Sequence, residues 1–234
     1  MERHFETELE KLHHRLMKMA GIVVNQIIGS LKALQECDVE AARGIIEQDR
    51  KVDKLDNKID KLCQRIFALT QPVATDLRFI MSALKINNDL ERMGDHAVGI
   101  ALKIETLAEN RELVSSVDLN DIVLQIGKLM EKMVTILAER STTHIFDIFD
   151  LASEIHDRIE VHSKEIIDEM TRKSEIIVVA TNLMLVLTQI DRIVAYTKNI
   201  AESMVFVVEG NLVKHAKPVR LNPEITSEPE KDNR

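Results

Sequence analysis

The chain has 234 residues, 45% hydrophobic and 30% charged, enough to bury a core without disulfide or metal staples. Only seven Gly and four Pro exclude a turn-rich all-β fold. A net charge of -8, with 3% aromatics and no Trp, removes the basic surface and the stacking platforms that nucleic-acid binding needs.

Apolar residues recur every three or four positions with brief interruptions, which predicts an all-α chain of six long helices. The first spans 2–36. Asp38 caps a second helix reaching residue 69, because its short carboxylate accepts from unpaired backbone N–H groups. Pro72 biases Gln71 away from helical angles, and Thr75 or Asp76 restarts the chain into a third helix that ends near residue 109. A break at 115–118 precedes helix four (119–140) and helix five (143–172). Ser174 caps helix six, and Gly210 suits a left-handed stop. Helices of about 30 residues are about 45 Å long, and loops this short make neighbours antiparallel, giving a helical bundle.

Leu90-Glu-Arg-Met-Gly-Asp95 is echoed by Ile190-Asp-Arg-Ile-Val-Ala195, and each is followed at the same offset by an Ile-Ala pair, Ile100-Ala101 and Ile200-Ala201. This similarity predicts two tandem three-helix bundles, over 1–112 and 113–215, with a disordered tail at 216–234. The longest uncharged run, 176–190, includes Thr181, Asn182, Thr188 and Gln189 and falls short of the roughly 20 residues a bilayer span needs, so it reads as a buried helix segment. An N-terminus bearing Glu2, Glu6, Glu8 and Glu10 is unlike a signal peptide. Cys37 and Cys63 are too few for a disulfide framework, which fits a reducing cytoplasm.

The second helix carries an apolar stripe (Ile45, Val52, Leu55, Ile59, Leu62, Ile66, Leu69) with an acidic row one position on: Asp49, Asp53, Asp56, Asp60. In the third helix Glu91 and Asp95 likewise interrupt an apolar row. Like charges four apart repel by about 0.2–0.5 kcal/mol, and partial burial adds to that cost. Two i, i+4 pairs on adjacent antiparallel helices, Asp49 with Asp53 and Glu91 with Asp95, could converge on a metal ion. All-oxygen ligation suits Mg, Mn, Ca or Fe and also admits Zn. Alternatively these are solvated flank residues paired with Arg50, Lys54 and Arg92.

Other motifs are weaker. A single Glu10-x-x-His13 is half of a di-iron signature. His156, Asp157, Glu160 and His162 cluster on helix five, and the methionines fall at core spacing. No His-Glu-x-x-His motif, Gly-rich phosphate loop or nucleophile elbow occurs.

Gln71-Pro-Val-Ala-Thr-Asp-Leu-Arg78, Leu84-Lys-Ile and Asp89-Leu-Glu-Arg-Met-Gly-Asp-His-Ala97 resemble the PhoU family of phosphate-uptake regulators. Asp49-Arg-Lys-Val-Asp53 is similar to the family's Glu/Asp-x-x-x-Asp motif, and Val208-Glu-Gly-Asn-Leu-Val-Lys-His215 to its C-terminal ending. The resemblance implies two three-helix repeats, a cytoplasmic protein, usually a homodimer, and metal clusters held by paired acidic motifs. It also implies a non-enzymatic role: negative regulation of the phosphate-starvation response and of phosphate uptake. The implied partners are the sensor histidine kinase PhoR and the transporter ATPase PstB, with any membrane association peripheral and through partners. The competing readings are a carboxylate-bridged metalloenzyme and a metal-binding helical scaffold.

On the family pattern the first half keeps Asp49, Asp53, Glu91 and Asp95. The second half has Ala152 and His156 in helix five and Asp191 and Ala195 in helix six. Two of the four carboxylates are replaced by Ala, so a second site held by His156 and Asp191 should be weak or empty, with His156 tilting it toward Zn or Fe.

Overall fold

The computed structural model describes residues 2–210, apart from the side chains at 2, 3 and 116. The tail expected at 216–234 lies outside the described residues. Seven α-helices account for nearly all of the rest: α1 (Glu2–Glu36), α2 (Val39–Leu69), α3 (Ala74–Ala108), α4 (Arg111–Ser116), α5 (Asn120–Glu139), α6 (Ile145–Arg172) and α7 (Ile177–Glu209). Six of them are the expected long helices. The short α4 is an addition: the Asn110 side chain accepts from the Leu113 N–H at 3.2 Å, and the extra turn buries Leu113 and Val114.

The helix ends follow from local chemistry. Asp38 accepts from the N–H groups of Glu40 and Ala41, both at 3.0 Å, as its residue type predicts. Cys37 before it takes a positive φ of 49°, and Asp38 N–H returns to the Ala33 carbonyl at 2.8 Å, closing α1. Thr70 turns both its N–H and its hydroxyl back onto the Ile66 carbonyl, ending α2 ahead of Pro72. Helix α3 starts at Ala74, slightly earlier than expected, without a side-chain cap but with Asp76 in its first turn. Ser174 opens a 3₁₀ turn, Ser174–Ile176, rather than capping α7 directly. Gly210 ends α7 in the left-handed region, φ 76°.

Helices α1, α2 and α3 pack on one another, as do α5, α6 and α7, giving two three-helix bundles. The bundles join through α3 against α7, the most extensive helix pairing in the molecule, and through α1 against α5. Helices α2 and α6 are thus the outer layers, and α1, α3, α5 and α7 form the middle. The stripe on α1, Leu12, Leu16, Met19, Val23, Ile27, Leu31 and Leu34, is completely or almost completely buried; so are Ile86, Leu90, Met93, Ala97 and Ile100 on α3. Both cysteines are buried in this core and free. Burial pushes the Cys63 thiol up to about 12, consistent with an inert packing role.

Polar pairs fix the α3–α7 contact. Arg78 donates to the Val207 carbonyl at 3.5 Å, Arg92 donates to the Tyr196 hydroxyl at 3.2 Å, and His96 stacks on Tyr196 and pairs with Gln189. Partner numbers fall along α7 as they rise along α3, so the two helices that carry the echoed segments meet antiparallel.

The 174–209 stretch is by length and composition apolar enough to cross a membrane, with a mean hydropathy of 1.6 over its most apolar window. In the fold it packs against α3, α5 and α6. The uncharged run within it buries Ala180, Leu183, Val186, Leu187 and Ile190 but exposes Ile177, Val178 and Leu185, so the expectation of a buried segment holds for one face only.

Candidate metal centre

The acidic row of α2 lies beside α3, where the pitch of each helix carries the carboxylates just off the buried stripe. Val52, Leu55 and Ile59 enter the core, leaving Asp49, Asp56 and Asp60 partly buried and Asp53 exposed, while Leu69, the last residue of the expected stripe, is exposed at the helix end. On α3, Leu90 and Met93 are buried, Glu91 is partly buried and Asp95 is exposed.

The charges are close enough to perturb one another. Burial first, then the charges of Asp53 and Asp95, push the Asp49 carboxyl above its usual range, and a hydrogen bond from Gln26 offsets part of the rise. Glu91 is raised by burial, then by Asp95, Asp56 and Asp53, with Arg92 opposing. Asp56 is raised by burial and by Asp60 and Asp53, against a hydrogen bond from Asn87.

The alternative pairing with basic neighbours does not form. Among the described residues none of Asp49, Asp53, Asp56, Asp60, Glu91 and Asp95 has a Lys, Arg or His nitrogen within ion-pairing distance. Arg92 turns instead to the Tyr196 ring and hydroxyl. Among the described residues the hydrogen bonds to these carboxyl groups come from two amides: Gln26 Nε2 donates to Asp49 Oδ1 at 3.3 Å, and Asn87 Nδ2 donates to Asp56 Oδ1 at 2.7 Å and Asp60 Oδ1 at 3.1 Å. Both amides are 1% exposed, and both carbonyl oxygens, Gln26 Oε1 and Asn87 Oδ1, lack a partner.

The donor set is all oxygen, which suits a hard cation. Its geometry is a line along a groove, not a closed cage: among the described residues no three His, Cys, Asp or Glu side chains converge closely enough to hold an ion as they stand. Closing on a cation therefore requires the carboxylates to change rotamer, an easy movement for the exposed Asp53 and Asp95. A cation seated there would supply the positive charge the row lacks.

Gln26 and Asn87 were not among the expected site residues. Their signal is a polar residue in an apolar register: Gln26 follows Val23 by three on the buried face of α1, and Asn87 stands between Ile80 and Gly94 at seven-residue spacing on α3.

In the second half, the structure does bring His156 and Asp191 together. His156 Nδ1 and Asp191 Oδ1 are 2.9 Å apart, with Glu160 3.8 Å from the other ring nitrogen. The hydrogen bond to Asp191, opposed by some desolvation, holds the imidazole above its usual range. Ala152 is buried, and neither it nor Ala195 adds a ligand. His162 pairs with Glu165 rather than joining His156. In α1, Glu10 is engaged by Arg140 and His13 lies against the Leu137 carbonyl, so those two residues do not meet.

The sequence profile of the PhoU domain matches residues 16–104, which contain the whole acidic row. The phosphate-specific transport system accessory protein PhoU homolog of Clostridium acetobutylicum is 31% identical over 217 residues, covering 89% of this chain and 96% of that protein. The Streptococcus pneumoniae homolog, also 31% identical, covers 91% and 99%. Among solved structures, the crystal structure of PhoU from Pseudomonas aeruginosa superposes with a TM-score of 0.82 at 27% identity, over 88% of this chain and all of that one. The phosphate transport system regulatory protein PhoU from Streptococcus pneumoniae gives 0.76 at 27% identity, over 90% and 99%. With both bundles matched nearly end to end, and with the acidic and glycine-bearing segments of α2 and α3 inside the profile, the chain belongs to the PhoU family.

Proposed function

We propose that this protein is a non-enzymatic regulator that restrains phosphate uptake and the phosphate-starvation response. It acts in the cytoplasm as a homodimer, through contacts with a sensor histidine kinase of the PhoR type and a transporter ATPase of the PstB type. The reading is carried by the end-to-end likeness to relatives named as phosphate-specific transport system accessory proteins. In it the chain divides into two repeats at 112/113, a division supported by the antiparallel meeting of the echoed helices α3 and α7.

Metal binding is part of the same reading. Asp49, Asp53, Glu91 and Asp95 would hold hard divalent or trivalent ions, and His156 with Asp191 would hold metal weakly or not at all. The bound ion would supply charge neutralisation, letting α2 and α3 pack without repulsion between their acidic rows. The supporting observation is the uncompensated charge of the groove.

Deleting the gene should leave phosphate-starvation genes expressed in phosphate-rich medium. Normal repression in the deletion strain would overturn the regulatory reading. Light scattering at micromolar concentration should give the mass of a dimer, and a monomer would remove that element.

A further inference from the structure

The side chain of Gln26 has three features that its place in the α1 core does not explain. It is 1% exposed on a buried face of α1 whose nearby polar side chain, Ser30, is satisfied by the Ile27 carbonyl, as Gln26 is not. Among the described residues its Oε1 has no hydrogen-bond partner, a costly deficit in a buried group. Its Nε2 reaches Asp49 Oδ1 only at 3.3 Å, the long end of the useful range.

Gly94 on α3 explains where that oxygen lies. A Cβ placed on Gly94 would stand 3.3 Å from Gln26 Oε1, 3.6 Å from Asp49 Oδ1 and 3.6 Å from the Val52 side chain. Two oxygens from two different helices therefore border one small space, kept open because α3 has no side chain there. Among the described residues one of them is a carboxylate with no ion-pair partner, and the other is an amide oxygen with no donor.

We propose that Gln26 is a neutral oxygen ligand to the cation held at Asp49, so that α1 joins α2 and α3 in the first-half site. This rests on the metal reading above and deepens it. A carboxylate and a carbonyl oxygen together favour hard, oxygen-seeking divalent ions of the Mn²⁺ and Mg²⁺ kind over thiolate- or imidazole-seeking ones. A single ion between Asp49 and Gln26 gives the orphan oxygen a partner and Asp49 a counter-charge. The absence of a side chain at Gly94 is then part of the site.

The test is Mn²⁺ titration of the full chain by calorimetry, with unfolding of the same samples in chelator as the folding control. Gln26→Leu should weaken Mn²⁺ binding at least about tenfold, the loss typical of a removed metal-site partner, while unfolding in chelator at no lower denaturant than the parent protein. Gln26→Glu, of the same shape with a stronger oxygen ligand, should bind at least as well as the parent. Gly94→Ala, which fills the space, should weaken binding like Gln26→Leu. If Gln26→Leu does not fold, Gln26→Glu and Gly94→Ala decide the matter. Unchanged Mn²⁺ affinity in Gln26→Leu and Gly94→Ala, with binding abolished by Asp49→Asn plus Glu91→Gln, would overturn the role of Gln26 alone and leave its oxygen to a buried water. No Mn²⁺ uptake by the parent protein would overturn this assignment and the metal reading together.

Discussion

The two halves of the molecule present the same pair of neighbouring helices, α2 with α3 and α6 with α7, and have resolved their charge differently. In the first half Asp49, Asp53, Glu91 and Asp95 lie along one groove with no ion pair among the described residues, and two buried amides each leave an oxygen unused. In the second, Ala152 and Ala195 remove two carboxylates, and His156 meets Asp191 at 2.9 Å. The second half keeps fewer carboxylates and hydrogen-bonds one of them to an imidazole, so it has less need of a cation from solution than the acidic row of the first half.

The largest expected difference between the halves is in metal content. Asp49→Ala combined with Glu91→Ala should remove most of the metal found by elemental analysis, and His156→Ala combined with Asp191→Ala should barely change it. Equal losses from the two would break the comparison.

The cores, by contrast, should behave alike. Leu90 and Ile190 occupy echoed positions and are 0% and 1% exposed. Truncating either to Ala should cost about 2–5 kcal/mol in urea unfolding, because each leaves a cavity in a packed helix contact. A cost below about 1 kcal/mol at one position alone would show that the two bundles are not equally well packed.

The fold was largely legible because its determinants are local. Helical periodicity placed α1 through α3 and α5 through α7, and Asp38 and Gly210 marked their boundaries by side-chain and backbone chemistry alone. The missed α4 depends on a single Asn110 cap over one turn, too short for periodicity to register. The site was only partly legible. The i, i+4 spacing of carboxylates exposed Asp49, Asp53, Glu91 and Asp95, and the family pattern aligned His156 with Asp191. Spacing along a helix does not say which residue of a third helix reaches over, so Gln26 stayed hidden. Nor does it say whether basic neighbours turn toward the row or away, as Arg92 does.

Acid and alkali should sharpen the contrast. His156 is raised by its bond to Asp191, so the stabilisation it contributes is fully present below its unfolded value, about 6.5, and is lost as pH rises through the folded one. The pair is exposed, and His156→Ala should cost only about 0.5 kcal/mol at pH 5.5 and nothing measurable at pH 9. A cost that grows with pH would mean that His156 works as a neutral group.

Glu91 has the opposite sign. Its carboxyl is raised by burial and by neighbouring acids, so in metal-free protein its charge opposes folding at neutral pH, and that opposition fades as pH falls through its folded value toward the ordinary 4.5. Glu91→Gln should therefore stabilise the chelated protein by about 0.2–0.5 kcal/mol at pH 7, with no gain once the parent carboxyl is protonated. With Mn²⁺ present the same substitution should destabilise. A loss of stability in chelator would show that some partner already neutralises the groove.

The most direct test is a crystal of the protein grown with Mn²⁺ and measured for anomalous scattering. Strong anomalous density is expected between α2 and α3, against Asp49, Asp53, Glu91 and Asp95, and weak or no density at His156 and Asp191. Density of equal strength in both halves, or none beside the acidic row, would contradict that expectation.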